Sequence, residues 1–166
     1  ATCTSLRKDA TDWPGIYEWG PTALLPIFAL LGTEFKSETI LFQDQKQVDI
    51  FAKMEFIFKN AVASASVGDG VKSEGELIIS GTKGYAYVPA PWWKTDYFEL
   101  RYEDPSENRR YFYQLDGEGI RYELVAFARA VEKGKALPNI SLQTTKAISE
   151  TMGQFAKREN CTVIRG

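Results

Sequence analysis

Three observations predict an α+β fold for this chain of 166 residues. β-type runs crowd the middle of the sequence, helical apolar spacing marks its early part and its last third, and short turns join successive β-runs. Strands joined in this way form a mainly antiparallel sheet, here an open one of about six to eight strands. Two or three amphipathic helices cover only one face of it, leaving the other to solvent or a partner. The length suits a single domain, 1–166, that buries roughly two-thirds of its surface without staples.

Each element has its own justification. TCTSLRK, residues 2–8, has β-type residues with some alternation and reads as a strand. DATDWPG is a loop by its Asp, Pro and Gly. GIYEWGPTALLPIFALLG, residues 15–32, is an apolar helix, with Leu24, Leu25, Phe28 and Leu31 on helical spacing and Gly32 as its stop. Pro21 fits a first turn, where a missing N–H costs nothing, and Pro26 implies a kink or a late start. SETILFQ is a strand. QVDIFAKMEFIFKN is a longer one, in which Ile50, Ala52, Met54, Phe56 and Phe58 alternate with polar neighbours. AVASASV follows, then the polar turn GDGVKSEG.

GELIISGTKGYAYVP is the clearest local signal, two short β-runs around Gly81-Thr82-Lys83-Gly84 that predict a tight hairpin. DYFELRYE and RRYFYQL are further strands on either side of an EDPSEN turn. The last third is helical. GIRYELVAFARAVEKGK sets Ile120, Leu124, Phe127 and Val131 on one face. SLQTTKAISETMGQFAKREN sets Ile148, Met152 and Phe155 likewise, with Ser141 as a candidate N-cap. CTVIRG closes as a short edge strand.

Composition excludes several classes of function. A net charge of −2 gives no reason to expect nucleic acid. The chain contains no histidine, which removes Ser-His-Asp and Cys-His catalysis and the two-His zinc motifs. Cys3 and Cys161 stand near opposite ends without metal-ligand neighbours, so they read as free thiols of a cytoplasmic protein, and no metal is expected. No run approaches the roughly 20 apolar residues that cross a bilayer, no signal peptide is seen, and no membrane partner is expected. The first residue is alanine, which fits a piece cut or processed from something longer.

A search for chemistry finds no complete catalytic set. GDGVKSEG lacks both GxGxxG spacing and a Walker lysine, so it reads as a surface turn. DGEGIRYE opens a helix that could bind an anion, but Asp116 and Glu118 would repel one. Arg109-Arg110 is a candidate carboxylate or phosphate clamp. Trp92-Trp93 could stack a sugar ring, although such pairs more often cap a core. Glu18, placed between aromatics in a helix's first turn, is the residue that most needs explaining.

The order of elements, with GELIISGTKGYAYVP followed by GEGIRYELVAFARAVEKGK and a final helix, resembles the C-terminal domain of the Gfo/Idh/MocA (glucose–fructose oxidoreductase / inositol dehydrogenase) family. The resemblance spans essentially the whole chain through loose motifs. It implies a substrate-binding and oligomerisation domain of an NAD(P)-dependent oxidoreductase acting on a sugar, inositol or related polyol. The dinucleotide-binding domain, with its glycine motif and the family's catalytic lysine, is absent from this chain, so the isolated domain is expected to be inactive. NAD or NADP is the implied cofactor, a small sugar or polyol the implied substrate, and a second copy on the open sheet face the implied protein partner.

In that family the helix entering this domain carries an Asp, a Gly two residues on, a His two further, and a closing Gly ten residues later. This sequence has Glu18, Gly20, Thr22 and Gly32 at those spacings. The acid is kept; the histidine is replaced. Thr22 can hydrogen-bond a hydroxyl but cannot act as a base near neutral pH. Glu18 would orient hydroxyls, although a carboxylate at a helix N-terminus is also worth about 0.3–1 kcal/mol to the helix itself. Trp19 and Tyr17 would add a stacking face, and Arg7 or Lys8 would approach from the first strand. The loss of the histidine favours an alternative from a different class, a non-catalytic binding or assembly module appended to an enzyme of sugar or nucleotide-sugar metabolism.

Overall fold

The structure, a computed structural model, describes residues 2–4, 15–45, 48–68, 71–115, 117–135 and 140–164. They form two compact units, one made of residues 1–74 with 142–166 and the other of residues 75–141. The α+β class holds. The single open sheet does not: the described strands number nine and divide into sheets of five and four. The division has a local cause, since residues 69–76 supply Gly, Asp, Lys, Ser and Glu where a strand would need alternating apolar residues.

In the first unit, strand β1 (Thr2–Thr4) leads to helix α1 (Gly15–Leu31). Strands β2 (Ser37–Gln45), β3 (Val48–Ile57) and β4 (Val62–Gly68) follow as an antiparallel meander. Terminal segments complete the sheet in parallel, β1 beside β4 and the last strand, β9 (Cys161–Ile164), beside β2. The order is β1-β4-β3-β2-β9, with Ile40 opposite Met54 and Phe42 opposite Ala52. Parallel neighbours need long crossovers, and β9 makes its return through helix α3 (Leu142–Lys157).

Period-2 alternation sends Ile40, Phe42, Ala52, Met54, Phe56, Ala65 and Val67 to one face, all essentially buried. Against that face lie Ile16, Leu24 and Phe28 of α1 and Phe155 of α3. Phe28, Phe35 and Phe56 meet with ring centroids 5.3–6.0 Å apart. Phe155 stands edge-on to Phe42 at 5.2 Å and to Tyr17 at 5.8 Å. Burial of each such ring contributes about 1.5–3 kcal/mol. The outer face carries Lys53 and Glu55, paired at 2.7 Å.

The second unit is an antiparallel meander of β5 (Leu77–Ser80), β6 (Gly84–Val88), β7 (Tyr97–Tyr102) and β8 (Arg109–Phe112), with α2 (Ile120–Lys133) after it. The expected hairpin is present, closed by the Gly81 N–H donating to the Gly84 carbonyl at 2.8 Å. A side chain at Gly84 would collide with the Arg101 carbonyl on the neighbouring strand, so close approach of the backbones requires glycine there.

The helices also correct the expectation that all of them cover one face of one sheet. α1 and α3 do so for the five-stranded sheet, whereas α2 has no buried residue. Its stripe of Ile120, Leu124, Phe127 and Val131 is 60–66% exposed. Helix stops follow the sequence: Gly32 and Gly134 take left-handed φ values of 82° and 60° at the ends of α1 and α2. Among the described residues no helix is long and apolar enough to cross a membrane. Cys3 pairs with β4 at one edge of the five-stranded sheet and Cys161 with β2 at the other. Four strand spacings of about 4.8 Å separate those edges by about 19 Å, far beyond the roughly 7 Å that a disulfide spans. Cys161 is a free thiol.

Candidate functional site

The first two turns of α1 hold most of the sequence-predicted site residues. The helix starts at Gly15 and runs unbroken to Leu31, so Pro21 and Pro26 both lie inside it. This corrects the placement of Pro21 in a first turn and the late start implied by Pro26. The buried stripe of Ile16, Gly20, Ala23, Leu24, Ile27 and Phe28 anchors the helix on the sheet strongly enough to carry both prolines. Pro26 has no N–H to give the Thr22 carbonyl, the acceptor four residues earlier, which leaves that oxygen without its α-helical donor.

At 100° per residue, Glu18 and Thr22 fall on the side of α1 opposite the buried stripe, while Trp19 flanks the stripe beside Ala23 and buries its indole nitrogen; all three are half-buried. Glu18 and Thr22 are separated by one turn, the spacing at which side chains share a patch of helix surface. This cluster offers a carboxylate acceptor, a hydroxyl that both donates and accepts, and an indole. Such a set can hydrogen-bond hydroxyls, and its threonine cannot act as a base near neutral pH. Tyr17 does not join it. Its ring lies against Phe155 of α3, at the margin of the core. Arg7 and Lys8 lie outside the described residues.

Gly20 positions the cluster from behind. A methyl group at that position would stand 2.9 Å from Met152 Sδ, so α3 presses directly against the helix face that backs Glu18, Trp19 and Thr22. Small residue type at position 20 and helical register together aim the polar face outward.

The second unit carries a polar cluster that sequence reasoning missed. Cross-strand register places Tyr85 and Tyr87 of β6, Tyr97, Glu99 and Arg101 of β7, and Arg110 and Phe112 of β8 on one sheet face. Glu99 accepts from Arg101 Nε at 2.7 Å and from Arg110 Nε at 2.8 Å. The guanidinium carbon of Arg101 lies 4.5 Å from the Tyr87 ring centroid, and that of Arg110 lies 4.8 Å from the Tyr97 centroid. Hydrogen bonds from Arg101, then Arg110, hold the Glu99 carboxyl below its ordinary value. Arg101 is held above its own, first by Tyr85 and then by Glu99. The signal was present as YAY, ELR and RYF, three alternating triplets whose pairing partners only the register supplies.

Arg109 and Arg110 do not form a clamp. They are successive residues of β8, so their side chains leave opposite faces. Arg110 joins the ladder on Glu99, while Arg109 lines a cleft with Tyr102, Ser106, Glu107 and Asn108. Trp92 and Trp93 meet edge to face at 6.0 Å and pack on each other, so the two rings do not present one flat stacking platform.

No protein-family model matches the chain, and no curated protein sequence does. Solved structures match it in fold. KijD10, a 3-ketoreductase from Actinomadura kijaniata, solved with TDP-benzene and NADP, superposes with a TM-score of 0.73 at 13% identity, over 99% of this chain and 52% of its own. A candidate oxidoreductase, yvaA, from Bacillus subtilis matches with a TM-score of 0.67 at 13% identity, over 95% of this chain and 55% of its own. A further candidate oxidoreductase from Klebsiella pneumoniae gives 0.66 at 11%, over 96% and 51%. The chain therefore has the fold of about half of each of these oxidoreductase structures.

Proposed function

We propose that this chain is the substrate-binding and oligomerising part of an NAD(P)-dependent oxidoreductase of the Gfo/Idh/MocA type, acting on a sugar, inositol or related polyol. The observation that carries this reading is the match of nearly the whole chain to about half of a ketoreductase solved with NADP and TDP-benzene. Family membership, a single domain over 1–166 and a cytoplasmic location belong to the same proposal. The N-terminal turn of α1 does not fit the cofactor's phosphates, because it bears Glu18. In this reading the nicotinamide chemistry, the hydride transfer itself, falls to a dinucleotide-binding part of the protein outside these residues.

Within the reading, Glu18 accepts hydrogen bonds from substrate hydroxyls, Thr22 adds a donor and an acceptor, and Trp19 gives the ring a face to stack on. Arg7 and Lys8 belong to the proposed site as further polar contacts. Tyr17 contributes by fixing α1 against α3. Small-molecule binding and self-association are separate parts of the proposal and have separate tests. Addition of sugars, inositols or nucleotide sugars to the chain should shift the Trp19 indole resonance, and Glu18→Gln should weaken that binding about tenfold or more, as loss of a charged hydrogen bond does. A Trp19 signal unmoved by all of these ligands overturns the site. Sedimentation at micromolar concentration should show a dimer or larger; a monomer at every concentration overturns the oligomerising role.

A second reading rests on Thr22. The histidine of the family pattern is missing there, and the chain has no other histidine to replace it. A non-catalytic module of the same fold would bind the ligand and turn nothing over. The size of the native polypeptide, with a dehydrogenase assay on it, separates the two. A species about twice 18.7 kDa that reduces NAD(P)+ with a polyol supports the enzyme, and a ligand-binding species without turnover supports the module.

A further inference from the structure

Residues 38, 40 and 42 of β2 all face the core of the first unit, and the first of them is a carboxylate. Glu38 is 8% exposed, beside Ile40 and Phe42 at 0% and 1%. Its Oε2 accepts from Thr151 Oγ1 of α3 at 3.3 Å, while its Oε1 is buried without a hydrogen-bond partner. Gln154, one turn beyond Thr151, also buries its Oε1 without a donor. Glu38 is therefore a buried carboxylate between β2 and α3 with one oxygen bonded and one unpartnered. An ionised carboxylate only accepts, whereas the protonated acid brings a donor of its own.

Among the described residues, no cation pairs with Glu38 from the elements packed around it. β3 sets Phe56 directly opposite, and its Lys53 and Glu55 turn to the outer face and pair with each other. β9 brings the Cys161 thiol, which burial pushes up and which senses both Arg158 and Glu38. Arg158 itself lies over the rings of Phe42 and Phe155, at 4.3 and 4.6 Å. On α3, Lys146 and Glu150 pair with each other in solvent, and Lys157 is exposed. Burial pushes the Glu38 carboxyl above its ordinary value, and the Thr151 hydroxyl offsets this only in part.

We propose that Glu38 is a built-in pH-sensitive latch: protonated, it holds α3 on β2, and its ionisation loosens that seam and, through Met152, the first turns of α1. The path is short. Met152 follows Thr151 directly and presses on Gly20, which backs the polar face of α1. The latch stands whatever α1 binds. Its sign follows from linkage. The folded chain keeps a proton that the unfolded chain gives up at lower pH, so the stabilisation is complete below the unfolded value. It is lost as pH rises through the folded one, the folding equilibrium weakening by up to about tenfold per pH unit within that window.

The test is a side-chain carboxyl NMR titration of the whole chain, with thermal unfolding of the chain and of Glu38→Gln across the same pH range. The Glu38 carboxyl should titrate above the ordinary 4.5, and the Gly20 amide should move with the same midpoint. The Tm of the parent should fall relative to that of Glu38→Gln as pH rises through that midpoint. A Glu38 midpoint at or below the ordinary value overturns the proposal, as does a Gly20 amide that ignores the titration. If Glu38→Gln does not fold, the titration of the parent decides by itself, since backbone-to-side-chain correlations assign Glu38 without a variant.

Discussion

Two carboxylates of this chain are perturbed in opposite directions, and each sets a different response to pH. Glu38 meets no charged partner among the described residues and holds its proton more tightly than usual, whereas Glu99 is clasped by two guanidiniums and gives its proton up more readily. Because the folded value of Glu99 is depressed, its contribution is present above the unfolded value and is lost as pH falls through the folded one. Amide protection at Tyr87, Arg101 and Arg110, taken relative to the intrinsic exchange rate at each pH, should accordingly fall in acid, and Glu99→Gln should remove that acid response. Equal exchange in parent and variant would mean that the ladder holds nothing together. Gly84 makes a steric prediction at the same scale. Gly84→Ala should destabilise the hairpin by about 1–3 kcal/mol, the usual cost of overpacking, because the obstacle is the rigid Arg101 carbonyl. Gly20→Ala should cost far less, since the flexible end of Met152 can yield and alanine favours the helix.

The three helices differ in what anchors them. α3 is held by Phe155, at 1% exposure, wedged between Phe42 and Tyr17. Phe155→Ala should cost about 3–5 kcal/mol, read from denaturant unfolding of the first unit. α2 has the clearest amphipathic spacing in the sequence but buries none of it among the described residues. Leu124→Glu should therefore change unfolding free energy by no more than about 0.5 kcal/mol, as a surface substitution does. A loss comparable to that of Phe155→Ala would mean that the stripe is buried in solution. Apolar spacing thus identified both helices correctly as helices, yet it could not tell which stripe is covered. The period of a pattern records which side chains share a face; what lies against that face is a property of the rest of the chain.

At the scale of the whole molecule, the two cysteines test the topology. With β1 and β9 at opposite edges of one sheet, a denatured, unreduced chain should give two titratable thiols, and a value near zero would contradict the strand order. Activity tests the larger proposal. The 166-residue chain alone should not reduce NAD(P)+ with any polyol, and turnover by it would refute the assignment of cofactor binding to another part of the protein. If the proposed oxidoreductase is assayed as a longer polypeptide, Glu18→Gln should raise its KM for the polyol about tenfold or more while leaving cofactor binding unchanged.

Much of this was legible in the residues themselves. Alternation in SETILFQ and DIFAKMEF, the glycine-bounded hairpin and the helix-stopping Gly32 and Gly134 are local signals, and local sterics make local sequence sufficient for them. The grouping of Glu18 and Thr22 follows from helical geometry alone. Tyr17 escaped that reasoning because its ring is claimed by Phe155, a residue 138 positions away. Strand partners were invisible for the same reason: β1 and β9 find neighbours far along the chain, and the parallel pairs that result carry no turn signal. The burial of Glu38 and the Tyr–Arg–Glu ladder depend on register between strands, and that register is decided by the packing of a whole sheet. Sequence by itself determined the elements, their faces and the absence of histidine chemistry. Only the tertiary structure decided which elements meet, since burial and cross-strand contact are made between residues that the chain keeps apart.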